Sequence, residues 1–183
     1  GRLGFLAIGS PESAEEDIKS IIAGHYTLQR RHLLKGQVWR SGRLVHELHA
    51  LNDFVISKGS IARVTDLEVK VGGETLTLFL ADGLILSTPT GSTAYALSAG
   101  GPIVPPHVPC MIVAPICAHT LYARPVILSG EDRAVVIPKG DARSLMLTQD
   151  GQLGYELLPG DELHAMLDPD IRVVGLGEPG AVA

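Results

Sequence analysis

The chain has 183 residues, 45% hydrophobic and 19% charged, so it can bury a core and is not a disordered sequence. Fifteen Lys and Arg against twenty Asp and Glu give a net charge of −5, which argues against a general nucleic-acid binder. No apolar run approaches the roughly 20 residues of a membrane helix, and Gly1 to Gly4 do not open a signal peptide. Cys110 and Cys117 lack the spacing of a disulfide framework or zinc site, so a reduced, cytoplasmic setting without membrane contact is expected.

In chain order, Leu3 to Ile8 is a short apolar stretch that closes a preceding strand. A helix follows: Ser10 caps, Pro11 takes the first position, and Ser13 with Glu16 forms a second capping box. Ala14, Ile18, Ile21 and Ile22 make one apolar stripe, and Gly24 stops it. From Tyr26 the period shifts to two. Tyr26 to Leu34 and Leu44 to Leu51 read as strands around a turn near Ser41-Gly42, and Phe54 to Ser57 as a short one. Leu67, Val69 and Val71, then Gly72-Gly73, then Leu76, Leu78 and Leu80 predict a hairpin. Further strands are expected at Leu84 to Leu86, Met111 to Ile116, Val126 to Leu128, Ala134 to Ile137 and Leu145 to Thr148. Tyr155 to Leu158, Leu163 to Leu167 and Ile171 to Val174 complete the series, with turns at Asp150-Gly151 and Pro159-Gly160-Asp161. Strand after strand at short spacing defines a mostly β sandwich or layered sheet. Gly177 to Ala183 read as a tail.

The most informative stretch runs from Asp82 to Gly101, DGLILSTPTGSTAYALSAGG. A buried strand enters a small-residue turn, Ser87 to Thr93, and helix-compatible residues follow to Ala99 before Gly100-Gly101. Strand, turn and helix start bring N–H groups and hydroxyls around one point, which suits an acceptor-rich or anionic ligand. Gly91 allows close backbone approach, and Ser92, Thr93 and Ser98 offer hydroxyls. The loop lacks the Gly-Lys-Ser/Thr ending of a P-loop, and a plain capped helix fits the residues too.

Other polar groups read more plainly. His46 and His49 lie on a strand, where a spacing of three does not share a face, so a metal pair is not expected. Arg30, Arg31, His32, Lys35, Arg40 and Arg43 around Trp39 could meet phosphates, but they read first as a solvated hairpin. Asn52-Asp53 between apolar runs reads as a turn, and Asp82-Gly83 as a hairpin turn.

The string TPTGSTAY with LSAGGPIV, Thr88 to Val104, resembles the signature of NAD kinases, enzymes that convert NAD to NADP. LGFL (Leu3 to Leu6), ALNDFVI (Ala50 to Ile56), APICAHTLYARPVIL (Ala114 to Leu128) and QDGQ (Gln149 to Gln152) resemble further family blocks in the same order. The resemblance implies that Asn52 and Asp53 bind NAD, the amide suiting adenine and the carboxylate the ribose hydroxyls. Arg63 takes the place of a basic residue near the substrate, and His119 that of a structural residue. Asp82 takes that of an acid meeting the nicotinamide side, often across a subunit boundary. Thr93, Ala94, Tyr95, Ala96, Leu97 and Ser98 correspond to the segment lining the substrate, with Tyr95 against the dinucleotide, and Gln152 to a late polar residue near it. Leu80 stands where many relatives carry a basic residue, which removes one polar contact.

The family's catalytic GGDG motif is not in this sequence; Gly72-Gly73 is followed by Glu74 and Thr75. The motif belongs upstream of LGFL, so the chain is expected to be the NAD-binding part, without the N-terminal α/β domain and inactive alone. Residues 1–25 would be the connecting strand and helix, 26–176 the β-rich NAD-binding domain, and 177–183 a tail. The implied reaction transfers phosphate from ATP or polyphosphate, with Mg²⁺ or another divalent cation, to the 2′-hydroxyl of the adenosine ribose. A homodimer or homotetramer is implied as well. The alternative is a non-catalytic dinucleotide-binding regulatory module. Lipid kinases share the architecture, but TPTGSTAY argues against them.

Overall fold

The computed structural model describes residues 11–58, 64–120, 122–139 and 145–175. Leu3 to Ile8, Ser10, Arg63 and the 177–183 tail lie outside the described residues. Among those described, twelve strands form two six-stranded antiparallel sheets, and helix is confined to two α segments and one 3-10 turn. The expected mostly β fold is what the chain adopts.

Helix α1 is Ala14–Ile22, so Pro11 falls in the turn before it. The expected capping box does not form, because the Ser13 hydroxyl donates to Asp17 Oδ2 at 2.7 Å rather than accepting a backbone N–H. Gly24 ends the helix with φ +80°. Ile18, Ile21 and Ile22 of the apolar stripe are all exposed.

The first sheet runs β2 (Arg43–Ala50), β1 (Thr27–Arg40), β12 (Asp161–Gly175), β9 (Arg133–Lys139), β4 (Thr65–Val71), β5 (Glu74–Ala81). The second runs β11 (Leu153–Leu157), β10 (Leu145–Gln149), β3 (Asp53–Lys58), β6 (Gly83–Ser87), β7 (Cys110–Ile116), β8 (Val126–Ser129). The β4–β5 hairpin turns at Gly72 and Gly73, both left-handed at φ +62° and +88°, as their spacing predicts. Two expectations change. Strand β1 runs past Leu34 to Arg40, with Gly36 tucked beneath Phe54 and Leu48, where a Cβ would stand 2.8 and 2.9 Å away. The last two expected strands are one, β12, whose register shift opposite Arg31 and Leu33 absorbs the interruption.

The basic hairpin is solvated only in part, with Arg30 and Arg43 exposed. Arg31 is buried, Lys35 meets Glu47 at 3.2 Å, and Arg40 grips Asp161 with two bonds of 2.6 and 2.8 Å. His46 stacks on Tyr155 with ring centres 4.2 Å apart, while His49 faces Asp168 at 3.3 Å.

Between the sheets, Leu34, Phe54, Ile56, Leu67, Leu84, Met111 and Leu147 form the fully buried core. A second cluster lies on the far face of the second sheet, where Val55, Ile85, Ile112 and Ala114 are covered by Ala96 and Val104. This burial, worth about 25 cal/mol per Å² of apolar surface, binds the 94–104 segment to the sheet. It thereby sets Tyr95 beside the start of β3.

Candidate functional site

The chain leaves the first sheet at Ala50, bends through Leu51 and Asn52, and enters the second at Asp53. That bend is held from two sides. The Asp150 carboxylate accepts the N–H groups of Leu51, Asn52 and Asp53 at 2.9, 2.7 and 3.2 Å. The Thr88 hydroxyl donates to the Leu51 carbonyl at 2.6 Å, and the Thr88 N–H to the Asn52 carbonyl at 2.9 Å.

Beside the bend opens a cleft of ≈ 370 Å³, whose lining includes Asn52, Asp53, Ser57, Ala94, Tyr95 and Asp150. Tyr95 is half exposed at its edge, and Asp53 is 5% exposed. The Asp53 carboxylate receives no hydrogen bond among the described residues; burial first and the neighbouring Asp150 charge second push it up to about 6. A buried carboxylate without donors, in a cleft, is primed to accept hydroxyl groups from a ligand.

The Thr- and Gly-rich turn is built differently from the strand–helix corner its sequence suggests. Residues Thr90–Thr93 form a 3-10 turn and Tyr95–Ser98 a single turn of helix, α2, separated by Ala94 at ψ −132°. No long helix start therefore points into the site. Gly91 is needed for approach to protein rather than ligand, since a Cβ there would overlap the Asn52 carbonyl. The Ser92 hydroxyl is taken up by Val104, donating to its carbonyl at 3.2 Å and accepting its N–H at 3.0 Å.

Of the residues singled out from sequence, Asn52, Asp53, Ala94 and Tyr95 meet at the cleft. Thr93 is half buried with its hydroxyl 3.5 Å from the Thr90 carbonyl, Ala96 is fully buried in the second core, Leu97 is half buried, and Ser98 and Gln152 are exposed. Asp82 lies elsewhere. It marks the corner where the chain passes from β5 in one sheet to β6 in the other, not a hairpin. Since Asp53 pairs with Ser87 and Ser57 with Gly83, Asp82 stands at the opposite end of β3 and β6, roughly 15 Å away. There it meets Lys58 Nζ at 2.6 Å and His119 at 3.8 Å, and the Lys58 bond holds its carboxyl below the ordinary range.

Sequence reading passed over Asp150, Val55, Ser57 and Thr148. An Asp-Gly pair signals a turn first, and the bonds of the Asp150 carboxylate go to a bend 98 residues away in sequence, with the backbone of Asp150 left-handed at φ +47°. Among the described residues no group of three or more His, Cys, Asp or Glu is placed to hold a metal. Of the two acids at the cleft, Asp150 has both oxygens committed to main-chain N–H groups, so the pair does not fit a resident divalent cation.

Fold and site together define a β-sandwich domain with a polar cleft beside the crossing between its two sheets. Residues 51–167 match the family model of the ATP-NAD kinase C-terminal domain. The chain is 42% identical over 164 residues to an NAD kinase of Geotalea daltonii, covering 90% of this chain and 58% of that protein. It is 44% identical over 162 residues to one of Citrifermentans bemidjiense, covering 88% and 56%. The fold matches yeast NADH kinase complexed with NADH at a TM-score of 0.86 and 32% identity, over 97% of this chain and 52% of that one. It matches an NAD kinase from Archaeoglobus fulgidus in complex with ATP at 0.75 and 26%, over 94% and 64%. The chain belongs to the NAD kinase family. It spans a little under three-fifths of the length of these curated relatives.

Proposed function

We propose that this chain is the NAD-binding part of an NAD kinase, which transfers the terminal phosphate of ATP or polyphosphate to the 2′-hydroxyl of the adenosine ribose of NAD. The observation that carries the reading is Asp53, a buried carboxylate without hydrogen-bond donors, set beside Asn52 and facing Ala94-Tyr95 across one cleft. In this reading Asn52 reads the adenine edge, Asp53 accepts ribose hydroxyls, and Tyr95 packs on the dinucleotide. Arg63, Asp82, Thr93, Ala96, Leu97, Ser98 and Gln152 keep the supporting roles that the family resemblance implies. The chemistry at the 2′-hydroxyl belongs to the GGDG aspartate of the rest of the protein, and the divalent cation arrives with the phosphate donor.

A cleft of ≈ 370 Å³ lies at the small end of ligand sites. A homodimer or homotetramer, in which Asp82 faces a neighbour's ligand, would supply the remaining walls. The exposed Leu76, Leu78 and Leu80 on edge strand β5 support association. Residues 26–176 act as the binding unit, in the cytoplasm. Among the described residues no helix is long and apolar enough to cross a membrane.

Two measurements test this. Calorimetry of the chain with NAD should give saturable heat, and none from the folded chain would sink the binding role. Assay of the full-length protein with NAD should yield NADP with ATP or polyphosphate. Binding without product would favour the regulatory module instead.

A further inference from the structure

We infer that Asp150 is the positioning residue of this site: it holds the Leu51–Asn52–Asp53 main chain so that the Asn52-Asp53 pair faces the cleft. The inference rests on the NAD-binding reading above and deepens it. Leu51 and Asn52 lie in the bend between two strands of different sheets, where no ladder supplies acceptors. Consecutive main-chain N–H groups in such a bend need a partner when half buried. One carboxylate serves all three, Oδ2 taking Leu51 and Oδ1 taking Asn52 and Asp53. These bonds are charge-assisted, which makes them stronger than bonds to a neutral acceptor. In return the Asp150 N–H donates to the Asp53 carbonyl at 3.0 Å.

The carbonyl side of the same two peptides is fixed from another segment. Thr88 holds both carbonyls, and the Ser87 hydroxyl adds a second contact to Asn52 at 3.2 Å. The bend is thus gripped between the end of β6 and the β10–β11 turn. With both oxygens bonded to main chain, Asp150, itself at the edge of the cleft, acts through the placement of Asn52 and Asp53. Its charge has a second effect: Asp150 is the charged group acting on the Asp53 carboxyl, adding to burial in keeping it high.

The test is NAD calorimetry on the 183-residue chain, wild type and Asp150→Asn, between about pH 5 and 8. Asn tolerates the left-handed backbone at this position, so the change removes charge and one acceptor without straining the turn. At neutral pH the variant should bind NAD at least about tenfold more weakly. The acid limb of binding, expected near pH 6 in the wild type, should move to lower pH as the Asp53 carboxyl loses its negative neighbour. Unchanged affinity overturns the inference. So does weaker binding with an unmoved acid limb, which would make Asp150 a residue of the fold alone. Amide hydrogen exchange on the ligand-free wild type decides the matter if the variant does not fold. Protection at Leu51, Asn52 and Asp53 supports the clamp, and free exchange at any two of them overturns it. A wild-type chain that gives no heat with NAD defeats the binding reading, while exchange still reports on the clamp.

Discussion

Strands β3 and β6 lie side by side, and each end of the pair carries an aspartate in opposite electrical circumstances. At one end Asp53 is buried, receives no hydrogen bond among the described residues and lies beside another acid, so its carboxyl is pushed up to about 6. At the other end Asp82 is partly exposed, is paired with Lys58 and sits near His119, so its carboxyl is held low. An acid paired with a lysine is a common surface arrangement of small energetic weight. An acid buried without a partner works against the fold, and such groups collect where a ligand completes them. The contrast supports the proposed reading that ligand is bound at the Asp53 end.

The strongest way to break the Asp53 end is through its frame. In Gly91→Ala the new methyl would overlap the Asn52 carbonyl, which is main chain held by Thr88 and Ser87 and has little room to yield. Overpacking of this kind costs about 1–3 kcal/mol, and the displaced bend should lower NAD affinity by more than tenfold. A variant with wild-type affinity by calorimetry would show that the frame does not govern the site.

Asp53→Asn sharpens the comparison, because stability and binding should move in opposite directions. A carboxyl whose folded value is raised contributes stability below its unfolded value of 3.8, and loses that contribution as pH rises through about 6. At neutral pH the ionised group therefore costs the fold on the order of 3 kcal/mol, which the neutral amide removes. The variant should melt several degrees higher, by roughly 2–4 °C per kcal/mol for a chain of this size. Its NAD affinity should fall about 10- to 100-fold, because charge-assisted bonds to ribose hydroxyls are lost. A variant that melts lower than wild type would refute the cost assigned to the buried charge.

The same group sets a pH dependence in the wild type. As pH falls through about 6, Asp53 takes up a proton, the fold gains from it, and the cleft loses its anionic acceptor. NAD affinity should decline several-fold from about pH 7.5 to 5.5, a decline absent in Asp53→Asn. Asp82 contributes nothing to this window. Its lowered value places its stabilising contribution above the ordinary carboxylate range, lost only in stronger acid.

Much of the Asp82 end and little of the Asp53 end was legible in local sequence. Alternation and the Gly72-Gly73 turn place β4 and β5 directly, and the strand after Asp82 reads as buried from Leu84, Ile85 and Leu86. Asn52 and Asp53 emerge only through family resemblance, since an Asn-Asp pair between apolar runs has the pattern of any turn. The parts that make them a site come from far along the chain: Asp150 reaches them across 97 to 99 residues and Thr88 across 37. Gly91 shows the same limit. Its need for a bare backbone is visible in the motif, but whether ligand or Asn52 stands opposite is a property of the assembled sheets. The expected short helix after this turn forms as α2, but the break at Ala94 and the burial of Ala96 against the second sheet are not visible in residues 93–99, which all suit a helix locally.

The smallest expected effect tests the other half of the comparison. Lys58→Met removes the bond that does most to keep Asp82 low, leaving the His119 ring at 3.8 Å as its remaining side-chain neighbour. Both side chains of the Lys58 pair keep about a third of their surface in water, at 28% and 33%, so the melting temperature should stay within about a degree or two. The Asp82 carboxyl should nevertheless rise toward the ordinary range, which a carbon-detected NMR titration of its side chain would record. If Asp82 also faces a neighbouring subunit's ligand, freeing it from Lys58 leaves its charge open to that ligand. NAD affinity should then change a few-fold in the assembled protein and not in dilute monomer. A carboxyl that stays low without Lys58 would mean that the corner between the sheets, rather than the ion pair, sets the charge at this end.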